Sequence, residues 1–142
     1  MEGLCEMDQK LKFNEPWILQ RADPYIYRHT DGMYYFTASV PAYDRIVLRR
    51  SSTLAGIADA EEVTIWLKHD TGIMSMHIWA PEMHYLEGKW YIYFAAGEAE
   101  NIWNIRPYVL EGDPLYNPNR HTMLMKFDWI DGRPVFSYKT SV

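Results

Sequence analysis

The sequence predicts an all-β fold of the β-propeller type, and three observations lead to that prediction. Aromatic residues make up 15% of the chain, with 6 Trp and 11 Tyr, and they favour strands because flat rings pack well on a pleated surface. Two hairpin patterns turn at Asp31-Gly32 and Glu87-Gly88, where glycine tolerates positive φ. The patterns recur from Gly32 to Gly88, a period of 56 residues, and periods of about this size are typical of propellers and other arrays.

The first repeat contains four predicted strands, the content of one propeller blade. They are rich in Tyr, Phe, Val and Ile, or alternate charged with apolar side chains. A segment of small and acidic residues between the third and fourth strands is predicted to form a helical turn. The predicted strands are 24–28, 33–39, 45–50 and 63–68, and the helical turn is 53–62.

The second repeat contains three predicted strands before Gly112-Asp113-Pro114 interrupts the pattern. A further hairpin follows around a turn at 130–132. The predicted strands are 82–86, 89–96 and 105–110, then 122–129 and 134–138. We therefore divide the chain into a polar arm (1–15) and a partial propeller domain (16–142), which comprises blade one (16–70), blade two (71–111) and a last-blade segment (112–142).

Composition excludes several classes of function. The formal net charge is −5, and the densest basic run, Arg45, Arg49 and Arg50, is too small to follow a phosphate backbone, so we expect no nucleic-acid partner. This run is expected to lie on a solvated strand or at its edge. One cysteine, Cys5, cannot form an intramolecular disulfide. The chain shows no apolar run that could span a membrane, and residues 1–12 lack a signal-like apolar core, so we expect a cytoplasmic location. A mature secreted form would show the same pattern and is the alternative.

Two motifs at the heads of the hairpins resemble a known family. Arg21-Ala22-Asp23-Pro24-Tyr25 and Trp79-Ala80-Pro81-Glu82 are similar to the first two blades of glycoside hydrolase family 43, a five-bladed β-propeller family that cleaves arabinofuranosides, xylosides and arabinans. The run from Lys89 to Ala96 and the stretch Ile102–Arg106 fit the arabinofuranosidase type. Residues 112–122 resemble the start of the last blade. The chain thus resembles a shortened member that lacks the middle blades, with a join near Glu111.

The resemblance implies an inverting hydrolysis in which two carboxyl groups act from opposite sides of the sugar. It assigns Asp23 as the general base and Glu82 as the residue that raises the pKa of the general acid. Without the resemblance, Asp23 could be a turn cap and Glu82 a solvent-facing strand residue. The two carboxylates are expected to lie about one position out of step in the repeat.

Further residues are candidates for binding the sugar. Trp79 is expected at the pocket wall, where an aromatic ring can stack on a sugar, although a core position between blades fits it as well. His77 is expected to line the pocket, with a structural histidine as the alternative. Tyr43 and Asp44 are candidates for the pocket rim, with a plain loop role as the alternative. His121 resembles a last-blade histidine near the propeller axis, where some family members hold calcium through water. The expected reaction needs no cofactor, and calcium at His121 is the one metal that we consider.

The family's general acid is a glutamate on the third blade, and nothing here matches it. Glu98, Glu100 and Glu111 are near in sequence but fit no motif. General-acid help contributes roughly 10²–10⁴-fold, so we expect a protein that acts on arabinose- or xylose-containing glycosides with impaired turnover. A carbohydrate-binding module or an inert truncated fragment remain the alternatives. A cut propeller exposes strand edges, so we expect a homodimer.

Overall fold

The computed structural model describes residues 14–112, 127–130 and 133–136. Most of the predicted arm and most of the last-blade segment, including His121, lie outside the described residues. Within that part of the chain the fold is all-β, as predicted, with a short 3-10 turn at Ala55–Ile57. No helix in the described ranges is both long and apolar enough to cross a membrane.

Blade one is a four-stranded antiparallel sheet with its strands in chain order. Each strand pairs with the next along the chain, as in a propeller blade. The four predicted strands are confirmed, with ends that differ by one or two residues. The predicted helical turn at 53–62 is confirmed only as a three-residue 3-10 turn at Ala55–Ile57. The strands are β1 (Ala22–Arg28), β2 (Tyr34–Ser39), β3 (Arg45–Ser51) and β4 (Val63–Leu67).

Blade two is a three-stranded sheet, also in chain order: β5 (Met76–Leu86), β6 (Lys89–Glu98) and β7 (Asn101–Gly112). The first strand begins six residues before the predicted start, at Met76 instead of Glu82. A regular ladder excludes Pro81, which has no N–H to donate. Two register shifts in β5, between Met76 and Trp79 and between Trp79 and Glu82, accommodate this proline inside the strand. The last described strands, β8 (Phe127–Ile130) and β9 (Arg133–Phe136), form the predicted final hairpin.

The two blades share one hydrophobic core. Blade one contributes Tyr35, Ile46 and Leu48, and blade two contributes Ile78 and Met83 with several aromatic and aliphatic neighbours from β6 and β7. A smaller cluster of Phe36, Ala38 and Ile57 lies on the other face of blade one, under Trp17 and Ile18. Because strand side chains alternate between faces, β2 contributes to both clusters. The shared core holds the heads of β1 and β5 next to one another.

One basic residue is less solvated than the sequence suggested. Arg49 packs beneath the end of blade one, where its side chain is 14% exposed and donates to Glu62 at 3.1 Å. Arg21 donates to the same carboxylate at 3.0 Å through Nε. Two guanidinium groups lower the pKa of Glu62, against the upward effect of its burial. The expectation of a wholly solvated basic run was therefore wrong at Arg49.

Candidate active site

Asp23 lies on a β-bulge near the start of β1. The ladder pairs Ala22 with Ser39 and Tyr25 with Thr37, so β1 carries one residue more than β2 between these pairs. Asp23 has a φ of 49°, in the left-handed region that Asp tolerates better than most residues. Bulges turn a side chain away from its regular direction and occur often beside active sites. Asp23 is therefore presented by a strained strand position and does not cap a turn.

A single hydroxyl joins the Asp23 bulge to blade two. Ser39 donates its Oγ–H to Oδ2 of Asp23 at 2.8 Å. The same Oγ accepts the backbone N–H of Ala80 at 2.8 Å. Ser39 is 2% exposed, and two hydrogen bonds of this length to one buried hydroxyl orient the exposed groups that share it. The carboxylate of Asp23 is thus positioned by both blades.

The head of β5 repeats the bulge with a different side chain. Trp79 pairs with Ala95 and Glu82 with Tyr93, so β5 also carries one extra residue, and Ala80 has a φ of 49°. In each blade a proline follows the positive-φ residue. Ala80 is therefore the counterpart of Asp23, and Glu82 corresponds to Tyr25. The expected offset of one position between the two carboxylates was wrong, because the offset is two positions along the strand.

The groups around Glu82 differ from those around Asp23. Its side chain is 60% exposed and approaches Nε2 of His84 at 3.6 Å. Burial raises the pKa of Tyr25, and the charge of Glu82 raises it further. Among the described residues the contacts of Glu82 are thus with His84 and Tyr25, while Asp23 is held by Ser39. The predicted role of Glu82 stays a prediction.

An aromatic row crosses the surface next to the Asp23 bulge. The ring of Trp79 meets the edge of Tyr43 at 5.7 Å between centroids and the ring of His77 at 4.6 Å. Trp103, from the start of β7, stacks on His77 at 5.1 Å with 23° between the planes. The row links a loop of blade one with two strands of blade two. Three of the predicted binding residues therefore lie together, and Trp79 is half-buried and lies outside the two hydrophobic clusters.

Backbone strain gathers at this end of the molecule. Tyr43 and His77 have positive φ values of 48° and 52°, in addition to Asp23 and Ala80. Each non-glycine residue in such a conformation costs on the order of 1–3 kcal/mol and persists only where the surroundings enforce it. The backbone N–H of Ile78 donates to the carbonyl of Tyr43 at 3.1 Å. This bond connects two of the strained segments.

Asp44 forms an ion pair with its neighbour Arg45. Its carboxylate pairs with Nε of Arg45 at 2.7 Å, and this hydrogen bond lowers the pKa of Asp44 below its ordinary value. Its contacts therefore give no support to the predicted place at the pocket rim. Within the described residues no group of three or more His, Cys, Asp and Glu could hold a metal ion. The calcium prediction at His121 lies outside the described residues.

The glutamates that follow blade two in sequence are engaged elsewhere. Glu98 accepts from Asn104 at 2.9 Å, and Glu100 accepts the N–H of Gly72 at 3.2 Å. Glu111 pairs with Lys89. Each of these contacts is local to blade two, so none of the three carboxylates is directed at Asp23.

Comparison with known proteins identifies the family. The sequence model described as "Glycosyl hydrolases family 43" matches residues 13–111. The chain belongs to this family. The match ends at Glu111, where the sequence predicted the join. Its all-β fold and its structural neighbours confirm the predicted partial β-propeller.

Several relatives of this family 43 chain are arabinofuranosidases. Over 99 residues it is 63% identical to an extracellular exo-α-(1→5)-L-arabinofuranosidase of Streptomyces avermitilis, covering 70% of this chain and 21% of the relative. A protein of the same name from Streptomyces chartreusis is 62% identical over 99 residues, covering 70% of this chain and 30% of the relative. The chain thus spans less than a third of the length of these curated relatives.

Solved structures give the same family. The chain matches the α-L-arabinofuranosidase of Lactobacillus brevis with a TM-score of 0.65 and 44% identity, covering 84% of this chain and 44% of the other. A family 43 enzyme of Xanthomonas citri matches with a TM-score of 0.59 and 24% identity, covering 78% of this chain and 35% of the other. The second likeness supports the fold alone.

The comparisons contradict one expectation. A cytoplasmic location followed from the missing signal pattern, but both Streptomyces relatives are named as extracellular proteins. The absence of a recognisable leader in residues 1–12 was therefore a poor guide to location.

Sequence reasoning missed two residues of this family 43 site. Ser39 was read only as part of a predicted strand, and Trp103 only as part of the family-like stretch 102–106. The register offered a signal for Ser39, because its counterpart in the second repeat is Ala95, so at this strand position only blade one carries a hydroxyl. Trp103 had no such signal, since a strand tryptophan is as common in a core as on a surface.

Proposed function

We propose that this chain forms the base-bearing half of an arabinofuranosidase-type site, with Asp23 as the general base for inverting hydrolysis. The observation that supports this most directly is the Asp23 carboxylate on a strained bulge, bonded by Ser39 to the second blade. Its neighbours include an aromatic row able to stack on a sugar. The relatives named as arabinofuranosidases favour an α-L-arabinofuranoside over a β-xyloside.

The chemistry assigned to Asp23 is proton abstraction. The carboxylate takes a proton from water, the water oxygen attacks the anomeric carbon, and the bond from that carbon to the leaving oxygen breaks. The leaving oxygen must then gain a proton, and inverting enzymes place the acid roughly 6.5–9.5 Å from the base. Glu98, Glu100 and Glu111 of blade two are engaged in other contacts. The proposed activity is therefore confined to substrates whose leaving group needs little protonation.

The test is release of 4-nitrophenol from its α-L-arabinofuranoside and its β-xyloside, because this leaving group departs without acid help. Wild-type protein should act on the arabinofuranoside, and Asp23→Asn should lower kcat by at least about 100-fold, the loss expected for a general base. Asp59→Asn makes the same charge change at an exposed position of blade one and should act as wild type. Equal activity of both variants would contradict the role of Asp23.

A second candidate is carbohydrate binding without hydrolysis. It is favoured by the engagement of Glu98, Glu100 and Glu111 within blade two, which leaves no general acid among them. In this case wild-type protein releases no nitrophenol, yet calorimetry detects binding of methyl α-L-arabinofuranoside. Asp23→Asn should then change the affinity by less than about threefold, since the amide keeps the size of the carboxylate and an acceptor for Ser39. Absence of both binding and hydrolysis would leave the inert fragment.

We also propose that two copies of the chain associate through blade edges. A carbohydrate is the other proposed partner, and we propose no nucleic-acid partner. Val63 and Leu67 on β4, the edge strand of blade one, are 50% and 59% exposed. Exposed apolar edge strands promote pairing with another chain. Light scattering that reports a monomer across the accessible concentration range would refute the dimer.

A further inference from the structure

Arg21 lies two residues before Asp23, and its side chain is only 17% exposed. The guanidinium binds the carboxylate of Glu62 through two donors. Its Nε donates to Oε2 at 3.0 Å, and its Nη2 pairs with Oε1. Two parallel N–H donors match the two oxygens of a carboxylate and fix the relative orientation of both groups. The approach to β1 is thus tied to the residue that precedes β4.

Glu62 is itself anchored to the body of blade one. Arg49 on β3 donates to Oε2 of Glu62 at 3.1 Å and to the carbonyl of Ala58 at 2.8 Å. Burial raises the pKa of Glu62, but the hydrogen bonds from both arginines outweigh burial and leave that pKa below its ordinary value. The carboxylate is therefore charged at neutral pH and holds Arg21 against β3.

The backbone on both sides of Arg21 is strained. Gln20 and Asp23 have φ values of 56° and 49°, and a residue other than glycine keeps such a conformation only where its surroundings enforce it. Nη1 of Arg21 also donates to the carbonyl of Gln20 at 2.6 Å. Ser39 holds the carboxylate of Asp23 from β2, while Arg21 holds the backbone that leads into the bulge.

From these contacts we propose that Arg21, fixed by Glu62, is a positioning residue for Asp23. The inference rests on the proposed function of Asp23 as the general base. Arg21 acts through the backbone of the bulge, and it sets the direction in which the Asp23 carboxylate meets the attacking water. A misplacement of about 1 Å at a catalytic group can cost about 100-fold in rate. Loss of Arg21 should therefore lower kcat and leave KM nearly constant.

The experiment measures kcat and KM for 4-nitrophenyl α-L-arabinofuranoside in two backgrounds, the wild-type chain and Asp23→Asn. Arg21→Met keeps an apolar stem and removes the donors, so kcat should fall about tenfold, with KM changed by less than about twofold. In the Asp23→Asn background the same substitution should cause no further loss, because the carboxylate that Arg21 positions is already gone. A general structural defect would lower the rate equally in both backgrounds.

Two milder variants keep the test decisive if Arg21→Met folds poorly. Arg21→Lys retains the charge without the planar pair of donors, and it should recover part of the lost kcat. Glu62→Gln retains one acceptor oxygen for Arg21, and it should lower kcat about threefold. Urea unfolding shows whether each variant is folded under the assay conditions. Lys89→Met is the matched control, because it breaks an exposed ion pair with Glu111 at the turn end of blade two and should act as wild type.

The outcomes separate the positioning role from the proposed function. An Arg21→Met protein with wild-type kcat, beside an impaired Asp23→Asn protein, would overturn the positioning role and leave the proposed function standing. An equal loss in both backgrounds would also overturn it, since Arg21 would then act independently of Asp23. Wild-type protein that releases no nitrophenol, or an Asp23→Asn protein as active as wild type, overturns the proposed function and the positioning role together.

Discussion

The heads of the two blades have the same backbone and different chemistry. In β1 the bulge presents the carboxylate of Asp23, and in β5 the equivalent bulge presents the methyl group of Ala80, with φ values of 49° at both. The strands that pair with these bulges also differ, since Ser39 on β2 corresponds to Ala95 on β6. The shared feature is a device that bends the strand. The candidate chemistry comes from the two side chains that only blade one has.

The strained backbone at the head of β5 has a role in the Asp23 site. Ala80 needs no special side-chain direction, yet its N–H must reach Ser39. The positive φ at Ala80 therefore serves the Asp23 site from the other side. Blade two contributes a donor and an aromatic surface, and blade one contributes the carboxylate.

The largest expected effect is that of Ser39→Ala. This substitution gives β2 of blade one the alanine that β6 of blade two has at the equivalent position, Ala95. The N–H of Ala80 and the carboxylate of Asp23 would each lose a hydrogen-bond partner. Asp23 and Ala80 are themselves exposed, so each lost hydrogen bond costs its net value of about 0.5–1.5 kcal/mol, and we expect the free energy of unfolding to fall by about 2 kcal/mol. Urea denaturation measures this change.

Ser52→Ala is the control for that experiment, because it removes the same hydroxyl at an exposed position and surface changes are usually within about 0.5 kcal/mol. Ser39→Thr keeps the hydroxyl and should retain part of the lost stability. If Ser39→Ala matches Ser52→Ala, the bridge between the blades is energetically unimportant.

An intermediate effect is expected at the hairpin turns, where the blades should behave alike. Gly32 and Gly88 have φ values of 82° and 85°, and a Cβ at either would meet nothing within 4 Å. Alanine at either position should destabilise the protein by about 1–2 kcal/mol, the cost of left-handed backbone for a residue with Cβ. Thermal or urea unfolding of the two variants measures it. Clearly unequal losses would show that the turns are not equivalent parts of a repeat.

The smallest expected effect distinguishes the blades by acid sensitivity. The pKa of Glu62 in blade one lies below its ordinary value of 4.5, because Arg21 and Arg49 outweigh the effect of burial. A depressed folded-state pKa gives stability that is present above the unfolded value and is lost as pH falls through the folded value. Unfolding measured from pH 7 down to about pH 3 should show this loss in wild type.

Glu62→Gln should lack that part of the acid dependence, and its stability curve should be flatter at low pH. Glu61→Gln removes the same charge at an exposed neighbouring position and is the control. If the Glu62 variant and wild type lose stability in parallel as pH falls, the two arginines do not stabilise the carboxylate.

Much of the fold followed from local pattern. The strands of blade one, the two glycine turns and the three strands in the described part of blade two were predicted, because alternation and turn residues act over short distances. The family motifs around Asp23 and Trp79 were also readable directly. The start of β5 was not, since a bulge that admits Pro81 depends on pairing with β6.

The sequence by itself determined the all-β class, the repeat of the hairpins, the family and the choice of Asp23 as the candidate base. Only the tertiary structure decided that Ala80, and not Glu82, is the counterpart of Asp23, that Ser39 connects them, and that Trp103 extends the aromatic row. The physical reason is that strand register and the approach of two blades are set by long-range hydrogen bonds and a shared core. No local run of residues encodes which side chain meets which across that distance.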